Sequence, residues 1–125
     1  MIPSQFDYQA PTSVDEALSL LSGDAMDVKV LAGGQSLLPV LKLRMADPEL
    51  VVSLNKIESM HGVRRDGEHL VIGPMTTHAQ VAVDPLIAAH AGLLGHAAEQ
   101  IADPQVRHRG TIGGAVVHAD PAGDM

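Results

Sequence analysis

The sequence predicts an α/β fold in which a small parallel sheet with helices precedes a helix-rich α+β segment. Residues 28–54 carry the first part of this prediction, because Val28 to Ala32 and Leu50 to Leu54 are short apolar segments on either side of an expected helix, Leu37 to about Met45. A strand–helix–strand unit of this kind joins parallel strands. Later in the chain, short apolar segments flank Asp66-Gly67-Glu68, which is typical of a β-hairpin.

Capping residues and prolines set the expected helix boundaries. Ser13 and Glu16 have the spacing of a capping box and predict a helix that ends at Gly23. Thr76 or Thr77 is expected to open a helical stretch that continues, with an interruption at Asp84-Pro85, to about Ala102.

The last part of the chain is predicted to be a strand followed by a turn. Thr111 to Val117 has the apolar and β-branched character of a strand, and Asp120 to Asp124 is typical of a turn. A single strand leaves its backbone groups unsatisfied unless it has a partner. We therefore expect this segment to begin a larger unit, so that the sequence is truncated at its C-terminus.

The composition excludes several classes of protein. The net charge is −7, and Phe6 and Tyr8 are the only aromatic residues, which argues against a nucleic-acid-binding protein. The chain has no cysteine, so it cannot itself ligate an Fe–S cluster through thiolates. No apolar run approaches the ~20 residues of a membrane span, and the N-terminus lacks signal-peptide features, so we expect a cytoplasmic protein.

Residues Ala32-Gly33-Gly34-Gln35-Ser36, between an expected strand and an expected helix, form the first candidate binding loop. Two glycines allow a backbone to approach a bulky anion closely, and the start of a helix directs free N–H groups to the same place. This pattern suits a pyrophosphate, with Ser36 as a helix cap and further donor. An ordinary tight turn that needs glycine for a positive φ would have the same sequence.

Residues Thr111-Ile112-Gly113-Gly114-Ala115 form a second loop that also combines glycines with a hydroxyl group. Arg107 and Arg109 precede it, and both could instead be solvated or ion-paired. Asp120 and Asp124 could accept hydrogen bonds from a sugar or a flavin, although Asp120 before a proline is also typical of an Asx turn. The histidines show no metal-binding spacing, and no catalytic residue is predicted.

Six segments in order resemble the FAD-binding medium subunits of molybdenum hydroxylases, the family of aerobic carbon monoxide dehydrogenase and xanthine dehydrogenase. The segments are Leu31–Pro39, Lys42–Arg44, Ile72–Thr77, Ile101–Arg107, Arg109–Gly114 and Asp120–Asp124.

This resemblance implies a fold, a cofactor and partners. The fold would be the two-subdomain FAD-binding fold of the vanillyl-alcohol oxidase-like type, with residues 1–55 as the first subdomain and residues 56–125 as the start of a truncated second one. A molybdenum-cofactor large subunit and a [2Fe–2S] small subunit would pass electrons to the flavin of this oxidoreductase subunit, which would pass them to an external acceptor. The FAD-binding residues implied are Ala32, Gly33, Gly34, Gln35, Ser36, Ile101, Thr111, Gly113, Gly114 and Asp124.

Two other hypotheses remain open from the sequence. One is another flavoprotein of the same fold, similar to UDP-N-acetylenolpyruvoylglucosamine reductase. The other is an interaction fragment without a flavin, in which the glycine loops are only turns. The resemblance also implies that this segment alone is inactive and binds FAD weakly, since family members run to roughly twice its length.

Overall fold

The computed structural model describes residues 1–123 and divides into two units, Met1–Glu58 and a second unit that begins at Ser59. The first unit contains a three-stranded parallel sheet in the order β1-β3-β2. Its elements are β1 (Asp7–Gln9), α1 (Val14–Leu21), β2 (Val28–Leu31), α2 (Leu37–Lys42) and β3 (Leu50–Ser53). The predicted strand–helix–strand unit and its parallel pairing are confirmed.

The central strand β3 provides much of the core of the first unit. Val51 and Val52 are 1% and 0% exposed, as expected for a strand paired on both edges. Strand β1 escaped prediction because its three residues are all exposed and show no apolar alternation. Pairing with β3 makes this segment a strand, in register from Asp7 opposite Leu50.

Two of the expected helix boundaries differ in detail. The Ser13 hydroxyl accepts the Glu16 N–H at 3.1 Å, but the Glu16 carboxylate accepts the N–H of Thr12 rather than that of Ser13. The capping box is therefore only half formed. Helix α2 ends at Lys42 instead of near Met45, and Arg44 follows in the left-handed region with φ 56°.

The second unit combines an antiparallel hairpin with short helices. The expected hairpin and the helical stretch after Thr77 are confirmed. Three fully buried residues, Val81, Ile87 and Ala98, form a core cluster. The elements are a 3-10 turn (Glu58–Met60) at the division between the units, β4 (Val63–Asp66), β5 (His69–Ile72), α3 (His78–Val83), α4 (Pro85–His90), α5 (Gly92–Glu99), α6 (Pro104–Arg107) and α7 (Ile112–His118).

The predicted strand from Thr111 to Val117 is wrong, because Ile112–His118 forms helix α7. The Thr111 hydroxyl caps this helix by accepting the Gly114 N–H, which outweighs the β-branched character of the residues that follow. Thr111 makes one isolated bridge with Thr77 and no ladder. Val116 and Val117 are 72% and 85% exposed, so the apolar run does not indicate a buried strand.

None of the helices within residues 1–123 is long and apolar enough to cross a membrane.

Candidate functional site

The first candidate loop connects β2 to α2 and requires glycine at one position. Gly34 is buried and has φ 86°, a conformation that residues with a side chain rarely adopt. A Cβ placed on Gly34 would lie 3.0 Å from Cδ1 of Leu38. The carbonyl of Gly34 accepts the Leu38 N–H at 3.0 Å, which turns the chain into the helix. The expectation of a tight turn with positive φ is therefore confirmed at Gly34.

The same loop presents a series of unused donors. The backbone N–H groups of residues 33–36 have no hydrogen-bond acceptor anywhere in the described part of the chain. Gln35 and Ser36 are exposed, so water or a ligand can reach their N–H groups. Ser36 was expected to cap α2, but its side chain makes no capping hydrogen bond and its backbone is already helical. Its hydroxyl therefore remains available to a ligand.

Backbone donors are the relevant groups here, because α2 has only six residues. Successive backbone N–H groups in a turn form a concave anion site even without a long helix. Such a site suits a phosphate or a pyrophosphate, whose oxygens accept several hydrogen bonds at once.

The second candidate loop lies within the second unit, and its donors are already used. The Ile112 N–H donates to the Thr76 carbonyl at 3.0 Å, and the Gly113 N–H donates to the Pro74 carbonyl at 2.9 Å. The Gly114 N–H donates to Oγ1 of Thr111 at 3.1 Å. This loop therefore lacks the free backbone donors of the first loop.

The glycine of the second loop is explained by packing. A Cβ placed on Gly113 would lie 2.5 Å from Cβ of Pro74 and 2.7 Å from the Pro74 carbonyl oxygen. Real Cβ atoms do not approach so closely, so only glycine allows α7 to lie against this proline. Thr111 is 4% exposed. Because its hydroxyl oxygen acts as an acceptor when it caps α7, the hydroxyl proton can still be donated to another acceptor.

The predicted apolar contact Ile101 lies before α6 and is only 9% exposed. The guanidinium of Arg107 donates to the carbonyl oxygens of Ile101 and Ala102 through Nη1, at 2.7 Å and 3.3 Å. Arg107 is therefore neither simply solvated nor ion-paired, which corrects both sequence-based alternatives for this residue. The sequence feature that could have indicated this role of Arg107 is its position about one helical turn after Asp103-Pro104, where α6 begins.

Of the two acidic residues predicted near the C-terminus, the structure describes Asp120. Asp120 forms the expected Asx turn, since its carboxylate accepts the Ala122 N–H at 2.9 Å. Asp124, predicted to bind the cofactor, lies outside the described residues.

Sequence reasoning gave no role to His78, which is the first residue of α3. Its side chain is buried, and burial lowers the pKa of the imidazole below its ordinary value of 6.5. No acceptor or donor for Nδ1 lies within residues 1–123. A Cβ placed on Gly110 would lie 3.0 Å from the His78 ring, so His78 packs directly behind the residue that precedes Thr111.

The chain is therefore a mixed α/β protein with a βα loop whose free backbone donors suit an anion. The chain belongs to the family described as the FAD binding domain in molybdopterin dehydrogenase, which matches residues 4–125. The family indicated by the sequence motifs and the cofactor FAD are thus confirmed.

Two similar relatives are subunits of dehydrogenases. The carbon monoxide dehydrogenase medium chain of Hydrogenophaga pseudoflava is 49% identical over 99% of this chain and 43% of its own length. The 6-hydroxypseudooxynicotine dehydrogenase complex subunit alpha of Paenarthrobacter nicotinovorans is 42% identical over 100% of this chain and 42% of its own. The chain therefore spans less than half the length of these relatives.

Solved structures agree with the predicted fold class. A carbon monoxide dehydrogenase chain from Hydrogenophaga pseudoflava matches 98% of this chain and 43% of its own, with a TM-score of 0.95 and 50% identity. A chain of quinoline 2-oxidoreductase from Pseudomonas putida 86 matches 96% of this chain and 42% of its own, with a TM-score of 0.91 and 36% identity. The mixed α/β fold of this family is therefore confirmed.

Proposed function

We propose that this chain forms the FAD-binding part of an electron-transfer subunit in a molybdenum hydroxylase, and that the loop Ala32–Ser36 holds the FAD pyrophosphate. The observation that carries this proposal is the run of free backbone N–H groups at residues 33–36. The net charge of −7 means that local donors, not the overall field of the chain, must attract the phosphates.

The remaining binding residues have supporting roles in this proposal. Gly33 allows a close approach of the pyrophosphate, and Gly34 gives the turn its positive φ. The Gln35 N–H and the Ser36 hydroxyl add donors. In the second unit the Thr111 hydroxyl donates to the cofactor, because its proton is not used in capping α7. The proposed contacts of that unit and of the undescribed C-terminus are Ile101, Thr111, Gly113, Gly114 and Asp124.

The absence of cysteine in this sequence agrees with Fe–S clusters that are held by a partner subunit. Bound FAD can accept electrons singly or in pairs, which suits a position between one-electron Fe–S clusters and an external acceptor. A [2Fe–2S] small subunit and a molybdenum-cofactor large subunit are the partners that this arrangement requires. The names of the relatives support it, since they include medium chains and subunits of dehydrogenase complexes. In this proposal residues 1–55 and 56–125 contribute the two subdomains of the flavin site.

A comparison of flavins tests the pyrophosphate assignment. The native protein, purified and then stripped of its flavin, is titrated with FAD, FMN and riboflavin, and binding is followed by flavin fluorescence. FMN lacks the pyrophosphate, so we expect FAD to bind more than about a hundredfold more tightly, the worth of two charge-assisted hydrogen bonds of roughly 1.5 kcal/mol each. Equal affinities for FAD and FMN would contradict the assignment. A colourless native protein that no flavin reconstitutes would support the interaction-fragment hypothesis instead.

A further inference from the structure

A strained turn in the second unit precedes α6. Ala102 has φ 41°, in the left-handed region that costs free energy in any residue with a Cβ. Neither glycine nor asparagine, the residues that favour this conformation, stands at this position. Something other than local preference must therefore hold the turn.

The side chain of Arg107 supplies the holding contacts. Its Nη1 donates to the Ile101 carbonyl at 2.7 Å and to the Ala102 carbonyl at 3.3 Å. A charged donor strengthens such hydrogen bonds, and no acidic side chain in the described part of the chain forms an ion pair with Arg107. The guanidinium is therefore committed to the two carbonyl groups on either side of the strained residue.

The backbone around α6 connects this turn to the second candidate loop. Asp103 caps α6 by accepting the Val106 N–H at 2.9 Å, directly after the strained residue. At the other end of the helix, the Val106 carbonyl accepts the Gly110 N–H at 2.7 Å, and Thr111 follows. Arg107 thus lies between the turn at Ile101 and the loop at Thr111 and is bonded to the first of them.

We propose that Arg107 is a positioning residue of the flavin site, which fixes the Ile101–Ala102 turn relative to the Thr111 loop. This inference rests on the proposed function, because the turn and the loop are both assigned there to the flavin. Arg107 acts through carbonyl groups of the protein and needs no contact with the cofactor.

Three variants of the native protein test the proposal through FAD affinity. Arg107→Gln removes the charged bridge, and we expect it to weaken FAD binding about tenfold, the worth of one charged hydrogen bond. Ala102→Gly relieves the backbone strain, so the double variant should recover most of the lost affinity. Arg109→Gln, which changes an exposed arginine two residues further on, is the matched control and should bind FAD as the wild type does.

A readout without flavin separates this inference from the proposed function. In the flavin-free protein, Arg107→Gln should speed amide hydrogen exchange across residues 101–106, and Ala102→Gly added to it should slow exchange again. If the variants show these changes in exchange but the wild-type protein binds no flavin, the proposed function alone is overturned. Unchanged exchange and affinity in Arg107→Gln, or a loss of affinity that Ala102→Gly does not reverse, would overturn the positioning role. If Arg107→Gln does not fold, Arg107→Lys replaces it, with a smaller loss and the same rescue expected.

Discussion

The two glycine loops of this chain look alike in sequence and differ in how their backbone donors are used. Both combine a glycine pair with a hydroxyl group. In the first loop the N–H groups of residues 33–36 have no acceptor among the described residues. In the second loop the N–H groups of residues 112–114 donate to Thr76, Pro74 and Thr111. The first loop therefore has free backbone donors that suit an anion, whereas the free donor of the second loop is the hydroxyl group of Thr111.

The glycines differ for the same reason. Gly34 is required by its own positive φ, and a Cβ at this position would meet the side chains of Leu38 and Leu31. Gly113 is required because Pro74 occupies the place where a side chain would be. A glycine pair in a sequence therefore indicates close approach without indicating whether a ligand or another part of the protein approaches.

The largest effect expected is the loss of stability in Gly113→Ala. The added methyl group would overlap Pro74, and overpacking of this kind costs typically about 1–3 kcal/mol. Because the added Cβ would lie 2.5 Å from Cβ of Pro74 and 2.7 Å from its backbone carbonyl oxygen, we expect a cost near the upper end of this range. That cost exceeds the gain of about 1 kcal/mol from replacing glycine in a helix. Denaturant unfolding measures the difference. The control is Gly92→Ala in α5, where an added Cβ meets nothing within 4 Å and stability should not fall. Equal stability of the two variants would contradict the packing explanation.

A smaller effect should distinguish the serines at the starts of α1 and α2. Ser36→Ala should weaken FAD binding by about fivefold to tenfold, near 1 kcal/mol, without changing the unfolding free energy, because the Ser36 hydroxyl has no capping role. Ser13→Ala should lower stability by about 1 kcal/mol and leave FAD affinity unchanged, because Ser13 does cap its helix. Calorimetric titration and denaturant unfolding measure both quantities. The reverse pattern would show that the donors at Ser36 serve the fold.

The smallest effect is the pH dependence of stability that arises from His78, which packs against Gly110 beside the second loop. Because burial lowers the pKa of His78 in the folded state, the unfolded state binds its proton more readily. The free energy of unfolding should be independent of His78 protonation above pH 6.5. It should fall as the pH drops from 6.5 through the lowered pKa of the folded state. His78→Phe, which removes the titrating imidazole, should reduce this dependence. Denaturant unfolding curves recorded at pH 6.5 and below test this prediction. If the free energy of unfolding falls equally with pH in the wild type and in His78→Phe, His78 is excluded as the source of the dependence.

Sequence reasoning succeeded where the structure depends on neighbouring residues. The strand, glycine pair and helix around Gly34 follow one another directly, so the loop could be predicted from local patterns. It failed where distant segments decide. Strand β1 exists because β3 pairs with it, and the donors of Ile112 and Gly113 are used by carbonyl groups far back in the chain. At α7, the capping hydroxyl of Thr111 was recognised as a possible ligand contact but not as the start of a helix.

The free backbone donors of residues 33–36 are proposed to bind the FAD pyrophosphate. Titration of the ¹⁵N-labelled protein with FAD, followed by amide chemical shifts, tests it directly, because a new hydrogen bond to a phosphate moves the proton resonance of its donor. We predict large downfield shifts at Gly33, Gly34, Gln35 and Ser36, and small shifts at residues 112–114, whose N–H groups keep their protein acceptors. Shifts at residues 112–114 with none at residues 33–36 would contradict the assignment of the pyrophosphate to the first loop.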